Sequence, residues 1–249
     1  MAASNDSITK VFSDKRVYVG QMSNGLPHGH GTITWPSHKV YTGDWVRGKM
    51  EGSGVYIWPD GQTYSGNFSN NMYNGLGKMI WASKKTYQGE YVDGEMNGLG
   101  IYTWPDGRFY SGEWRNSKME GQGTHSWPDG RSYTGGWENS KVSGLGSEDW
   151  PDGGNFNGNY LNGKKNGPGL MKWANGTIFS GHYENDMMIT GYLELPGGLK
   201  YSASFTGGNN IVNGNRIFNA RLVGSDGFSV ATGLFSNGNF TCNGVFNGS

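Results

Sequence analysis

The sequence predicts an all-β protein, an elongated single-layer antiparallel meander of repeated β-hairpins, and three observations carry that prediction. Glycine supplies 45 of the 249 residues and aromatic residues 14%, a composition that disfavours helix and far exceeds ordinary glycine usage. The pattern aromatic-x-Gly-x-aromatic returns every 23 residues without slipping, from Tyr18 through Tyr41, Tyr64, Tyr87, Tyr110, Tyr133 and Phe156 to Phe179. Turn-forming residues stand at two fixed places in each unit, and the segments between them are too short for anything but strands.

The elements follow in order when the first aromatic is counted as offset zero. A first strand runs from offset zero to five, with glycine at offset two and a second large side chain at offset four, as in Tyr41, Gly43 and Trp45. Offsets six and seven are Asn, Asp or Arg followed by Gly, Asn, Ser or Asp, as in Asn24-Gly25 and Asn70-Asn71. Such pairs tolerate positive φ at both positions, which a two-residue type I′ hairpin needs. A second strand, from about offset eight to seventeen, carries Gly-x-Gly and ends at Trp35, Trp58, Trp81, Trp104, Trp127, Trp150 and Trp173. Pro-Asp-Gly after Trp58, Trp104, Trp127 and Trp150 then reverses the chain into the next unit. The glycines leave bare backbone over which rings can lie, so a ladder of aromatic side chains replaces a two-layer core. At about 4.8 Å per strand the units would build a rod of roughly 80–100 Å.

Three regions result. Residues 1–17 form an N-terminal segment in which Phe12-Ser13-Asp14-Lys15-Arg16 lies in register with Trp-Pro-Asp-Gly-Arg, so that 8–17 read as a half-repeat cap. Residues 18–200 hold eight repeats. Residues 201–249 are degenerate: a ninth unit begins at Tyr201 with Phe218 in the place of the closing Trp, an insertion follows, and a truncated tenth begins at Ala231. This region is expected either to cap the sheet or to form a homodimer, because Phe205, Phe218, Phe235, Phe240 and Phe246 need cover and an unpaired last strand is a sticky edge.

The stretches YTGDWVRGKMEGSG from Tyr41 and YQGEYVDGEMNGLG from Tyr87 resemble the MORN repeat (membrane occupation and recognition nexus), and the resemblance extends over nearly the whole chain. It implies a scaffold or targeting module, since the activities associated with the family reside in attached domains such as lipid kinases and methyltransferases. The histidine that often precedes the Gly-x-Gly pair in the family survives here only as His28.

Catalytic and cofactor chemistry find no foothold. Gly158 to Lys165, GNYLNGKK, approaches a phosphate-binding loop but lacks its final Ser or Thr, and Asn162-Gly163 is the hairpin turn of the repeat. His28 and His30 have no evident third metal ligand, and the single cysteine, Cys242, has no base partner. No enzyme, cofactor or metal is therefore expected. Lys plus Arg equals Asp plus Glu at 20 each, so no global field favours nucleic acid. The first residues, MAASNDSITK, contain no apolar h-region, and the lone cysteine suits a reducing compartment, so a cytoplasmic location is expected, with or without cytoskeletal or membrane association.

An interaction scaffold is the leading functional reading. Its partner, a helix or extended peptide, is expected on the variable Met and Tyr positions at offsets nine and fifteen: Met50, Tyr56, Tyr73, Met79, Met96, Tyr102 and Met119. Methionine and tyrosine give adaptable contact area at binding surfaces, though the same side chains could instead finish a thin core. The alternative is a peripheral membrane or phosphoinositide module using Lys39, Lys84, Lys85, Arg108 and Arg131, a row interleaved with Asp60, Asp106 and Asp129. An aromatic platform for carbohydrate is a third class, disfavoured by the expected location.

Overall fold

Strict alternation of short strands and tight turns leaves the chain no partner for each strand but its neighbours in sequence, and the computed structural model shows that arrangement. It describes residues 7–212, 215–225, 227 and 229–247. Among them are 21 antiparallel strands of one open sheet and no helix. Within the repeats a seven-residue strand alternates with one of nine, as in Val40–Val46 and Lys49–Ile57, or Thr63–Ser69 and Met72–Ile80. The contacts divide the chain into two units, Met1–Gly121 and Gln122–Ser249.

Both turns obey their local chemistry. Asn70 and Asn71 take φ of 51° and 69°, the two positive values of a type I′ hairpin. The turns of successive units are tied together as well: Asn71 N–H donates to Met50 O at 3.1 Å, and Met50 N–H donates back to Asn71 Oδ1 at 2.8 Å. Between units, Gly61 N–H donates to Trp58 O at 3.0 Å and Trp58 N–H to Gln62 O at 2.9 Å, with Gly61 at φ 84°. That is a type I turn followed by a left-handed residue, and the aspartate completes it, Asp60 Oδ1 accepting Gln62 N–H at 3.0 Å. Phe12 to Arg16 repeats the pattern, with Phe12 N–H donating to Arg16 O at 2.9 Å and Ile8–Val11 pairing with Val17–Ser23.

The core is a zigzag of rings on one face of the sheet. The offset-zero rings, Tyr18 to Phe179, are at most 2% exposed. They meet the offset-four rings edge-on: Tyr18 lies 5.7 Å from Trp45 of the next repeat, Tyr41 lies 5.1 Å from Trp45 and 4.9 Å from Phe68, and Tyr64 lies 5.1 Å from Phe68 and 5.4 Å from Tyr91. Each ring lies over the glycines of its own hairpin, where a β-carbon on Gly54 would collide with the Tyr41 ring. A register shift follows the offset-two glycine in repeat after repeat, as between Gly43 and Trp45, and falls one residue later in the eighth, between His182 and Tyr183. The carbonyl freed there, at offset three, accepts the Tyr hydroxyl: Tyr18 to Gln21 O, Tyr41 to Asp44 O and Tyr64 to Asn67 O span 2.6–3.0 Å. The offset-three side chain seals the facing strand, Asp44 Oδ2 accepting Ser53 N–H at 3.0 Å and Glu90 Oε1 accepting Leu99 N–H at 3.0 Å. Burial pushes the Tyr64 and Tyr133 hydroxyls up to about 12.

The ninth unit departs from the expected register. Phe218 does not close a strand in the manner of the tryptophans; it is 5% exposed inside Asn215–Gly224, which pairs with a thirteen-residue strand, Lys200–Val212. The register shift of this hairpin lies between Gly207 and Asn210 rather than after the offset-two position, Ala203, and pairing runs on to Val212 opposite Asn215. The tenth unit keeps its expected turn, Asn237 and Gly238 at φ 46° and 76°. Phe205, Phe218 and Phe235 are buried and Phe240 is half-buried, whereas the Phe246 side chain lies outside the described residues.

Within the second unit the sheet curls. Ile178–Glu184 and Ser229–Ser236 are four strand spacings apart, about 20 Å in a flat sheet. Yet Trp173, just before the first, has its ring 5.1 Å from that of Phe235 in the second. Asn175 Nδ2 and Thr177 Oγ1 donate to Gly238 O at 2.9 and 2.7 Å. The last hairpin thus returns over the aromatic face.

Candidate interaction face

Alternation along the strands decides which side chains reach the aromatic face. Tyr56, Met79 and Tyr102 are the cross-strand partners of Tyr41, Tyr64 and Tyr87, while Met50, Tyr73 and Met96 oppose Trp45, Phe68 and Tyr91. The Met and Tyr rows therefore share a face with the fixed aromatics. Their exposure differs. Met79 is 5% exposed, and Tyr73 is stacked 3.9 Å from Tyr64, so both belong to the ring ladder. Met50, Tyr56, Met96, Tyr102 and Met119 are half-buried. Tyr56 sits between Trp35 at 5.4 Å and Trp58 at 4.3 Å, and Tyr102 between Trp81 at 5.5 Å and Trp104 at 4.6 Å. These four tryptophans are themselves half-buried, so in the first unit the face presents indole, phenol and thioether together.

The basic residues are placed in the turns between units. Arg108 Nε donates to Asp106 Oδ2 at 2.8 Å, and its guanidinium lies 5.4 Å from the Trp104 ring. Arg131 lies 4.0 Å over Trp127 and 3.8 Å from Glu148 Oε1. Lys84 is exposed in its turn at φ 66°, and Lys39 and Lys85 are half-buried, their carbonyls accepting Trp35 and Trp81 N–H at 3.0 Å. Both arginines thus face carboxylates.

In the second unit, charge enters the aromatic face. Glu148 occupies the offset where the other repeats carry Ile, Tyr, Met or His, and Lys165 the offset of Met50. Lys165 Nζ lies 3.7 Å from Glu148 Oε2 and within 4.8 Å of the Trp150 and Phe156 rings, while Tyr160 Oη donates to Glu148 Oε2 at 3.3 Å. Burial pushes the Lys165 ammonium below its ordinary value, and the carboxylates of Glu148 and Asp186 draw it back up.

Sequence reasoning did not single out the opposite face. Offsets twelve and fourteen point away from the rings, and there Leu76 and Leu99 are 66% and 63% exposed. With Lys78, Gln88 and Ile101 they border a shallow groove of about 580 Å³ floored by Gly77, Gly89 and Gly100. Only the alternation of aliphatic and polar residues around the Gly-x-Gly pair could have signalled it. Neither face gathers three or more His, Cys, Asp or Glu side chains able to hold a metal ion, among the described residues. GNYLNGKK is a hairpin turn between Asn155–Leu161 and Lys164–Lys172, with no helix to complete a phosphate loop.

Set against known families, the MORN repeat pattern matches seven consecutive stretches, 18–40, 41–63, 64–86, 87–107, 110–130, 133–155 and 156–178. The chain belongs to the MORN repeat family. No curated protein matches it. Among solved structures, it is similar to a mutant TCP10 domain of CPAP from Danio rerio, with 13% identity over 77% of this chain and 95% of that one and a TM-score of 0.30. It is also similar to the TCP domain of SAS-4 from Drosophila melanogaster, solved with a proline-rich motif of Ana2, with 14% identity, coverage of 81% and 92%, and a TM-score of 0.30. The matched repeats span 18–178, so the half-repeat at 8–17 and the C-terminal hairpins lie outside them.

Proposed function

We propose that this MORN repeat chain is a non-catalytic scaffold that holds a protein segment, helical or extended, along the aromatic and methionine face of its first unit. One observation carries the reading: in the second unit the C-terminal end of the same face, at Trp173, meets the chain's own hairpin, with Phe235 on Trp173 and Gly238 O on Asn175 and Thr177. In the first unit Trp35, Trp58, Trp81 and Trp104 stay half-buried, with Met50 and Met96 nearby on the same face. Trp, Tyr and Met are the side chains enriched at the energetic centres of interfaces.

Met96 and Leu99 lie on opposite faces of one strand, which supplies the test. Replacing each in turn by p-benzoylphenylalanine in the native cell and irradiating should give a protein adduct from position 96. Adducts from position 99 alone, or from neither, would overturn the reading. The anionic-lipid alternative is separated by sedimentation with phosphoinositide vesicles at low and high salt, where only a basic site would lose binding as salt rises.

A further inference from the structure

We infer that the turn after Trp58 is a binding site for an arginine side chain, supplied by the protein segment that docks on the aromatic face. The source of the arginine rests on that docking, whereas the site itself is read from the turn.

Another turn of the first unit supplies the comparison. Trp104 N–H donates to Arg108 O at 2.8 Å, Gly107 N–H donates to Trp104 O at 3.0 Å, and Asp106 Oδ1 accepts Arg108 N–H at 3.1 Å. The corresponding distances after Trp58 are 2.9, 3.0 and 3.0 Å, so the backbone sets Trp58 and Asp60 as it sets Trp104 and Asp106. Each indole is also packed by a tyrosine, Tyr56 at 4.3 Å and Tyr102 at 4.6 Å. After Trp104 the chain completes the group itself: Arg108 Nε donates to Asp106 Oδ2 at 2.8 Å and its guanidinium lies 5.4 Å from the Trp104 ring. The matching place after Trp58 holds Gln62, which carries no charge.

The other turns of this kind are filled. Five turns that lead into a repeat set an aromatic ring two residues before an aspartate, after Phe12, Trp58, Trp104, Trp127 and Trp150. Arg16 lies 5.0 Å from the Phe12 ring while its Nε donates to Asp14 Oδ2 at 2.7 Å. Within the second unit Arg131 lies 4.0 Å over Trp127, and Trp150, whose turn has Gly154 in the arginine position, takes Lys165 Nζ at 4.8 Å. Among the described residues Trp58 has no cation over its ring, and the exposed Asp60 has no ion-pair partner.

Carboxylate and indole together decide the class of ligand. Both attract a cation, and an anion would meet Asp60. Arginine serves both at once, donating from Nε to the carboxylate while its flat guanidinium lies on the ring, as Arg16 and Arg108 do. A lysine ammonium is a point charge with no plane to lay on the indole. Trp58 is half-buried on the docking face, so a segment lying there passes over the site.

The test is titration of the full chain with N-acetylarginine amide, following the indole N–H resonances by NMR at constant ionic strength. N-acetylcitrulline amide, which is neutral, and N-acetyllysine amide are the counter-probes. The Trp58 resonance, assigned with Trp58→Phe, should follow a saturating curve with a dissociation constant of about 30–200 mM, as expected for one exposed cation–π contact and one ion pair. The Trp104 resonance, already covered by Arg108, should stay still. Asp60→Asn, which keeps the turn acceptor, should weaken binding about two- to fivefold. Gln62→Arg, which supplies the guanidinium from the chain itself, should abolish it without lowering the melting temperature. A silent Trp58 resonance, an equal response to citrulline or lysine, or a response unmoved by Gln62→Arg would each overturn the inference. The titration uses no partner, so a missing adduct at position 96 would fail the docking reading alone, and a silent Trp58 the arginine site alone.

Discussion

Gly66→Ala tests whether the glycine rows exist to let the rings lie on the backbone. A β-carbon at Gly66 would stand 2.6 Å from Leu76 O and 2.8 Å from Tyr64 Oη, and would press on the Gly77 Cα. Two of these neighbours are backbone of the paired strand, so either the strands part or the ring lifts. Overpacking of this kind costs about 1–3 kcal/mol. A lifted ring also loses the 2.8 Å bond from Tyr64 Oη to Asn67 O, about 1 kcal/mol more. The sum is about 2–4 kcal/mol. With a urea m-value near 2 kcal/mol/M the midpoint should fall by about 1–2 M, read by tryptophan fluorescence. Gly61→Ala is the control: nothing lies within 4 Å of its β-carbon, and its φ of 84° alone sets the cost, about 1–2 kcal/mol. A midpoint for Gly66→Ala at or above that of Gly61→Ala would refute the reasoning.

Three further outcomes follow from the same geometry. Tyr64→Phe should cost about 1 kcal/mol by orphaning the Asn67 carbonyl, and combined with Gly66→Ala it should be less than additive in urea melts, because both act through one hydrogen bond. The buried tyrosines make the fold sensitive to alkali. Their hydroxyls ionise near 10 in the unfolded chain, but Tyr64 and Tyr133 are held up to about 12 in the fold. Their stabilisation is therefore complete below pH 10 and is lost as pH rises towards 12. Tyrosinate absorbance should then appear cooperatively with loss of the β-sheet circular dichroism, and a gradual titration centred near 10 in an intact fold would contradict it. Gly238→Val would press a side chain onto Trp173, because a β-carbon at position 238 would stand 2.7 Å from the Trp173 Cβ. Limited proteolysis should cut within 229–247 faster than in the parent, while light scattering gives a monomer mass for both if this region is an internal cap, and a dimer mass for the parent if it is an interface.

The period, the turn chemistry and the ring-glycine-ring alternation were legible in the sequence because each is a local demand. Positive φ selects Asn and Gly at the hairpin turn, and strand parity puts Tyr64, Gly66 and Phe68 on one side whatever surrounds them. The half-repeat from Phe12 was legible for the same reason. Other features rest on which strand meets which. The offset-three residues Gln21, Asp44 and Glu90 look like ordinary surface polar groups until the register shift turns each carbonyl towards a Tyr hydroxyl and each side chain towards a facing N–H. Methionine and tyrosine at offsets nine and fifteen were equally compatible with a docking ridge and with core, and ring packing alone separates buried Met79 from half-buried Met96. Least legible was the return of Phe235 to Trp173, contact between residues 62 positions apart in sequence. It arises from twist and bulges accumulated over several strands, and no short window of sequence records that sum.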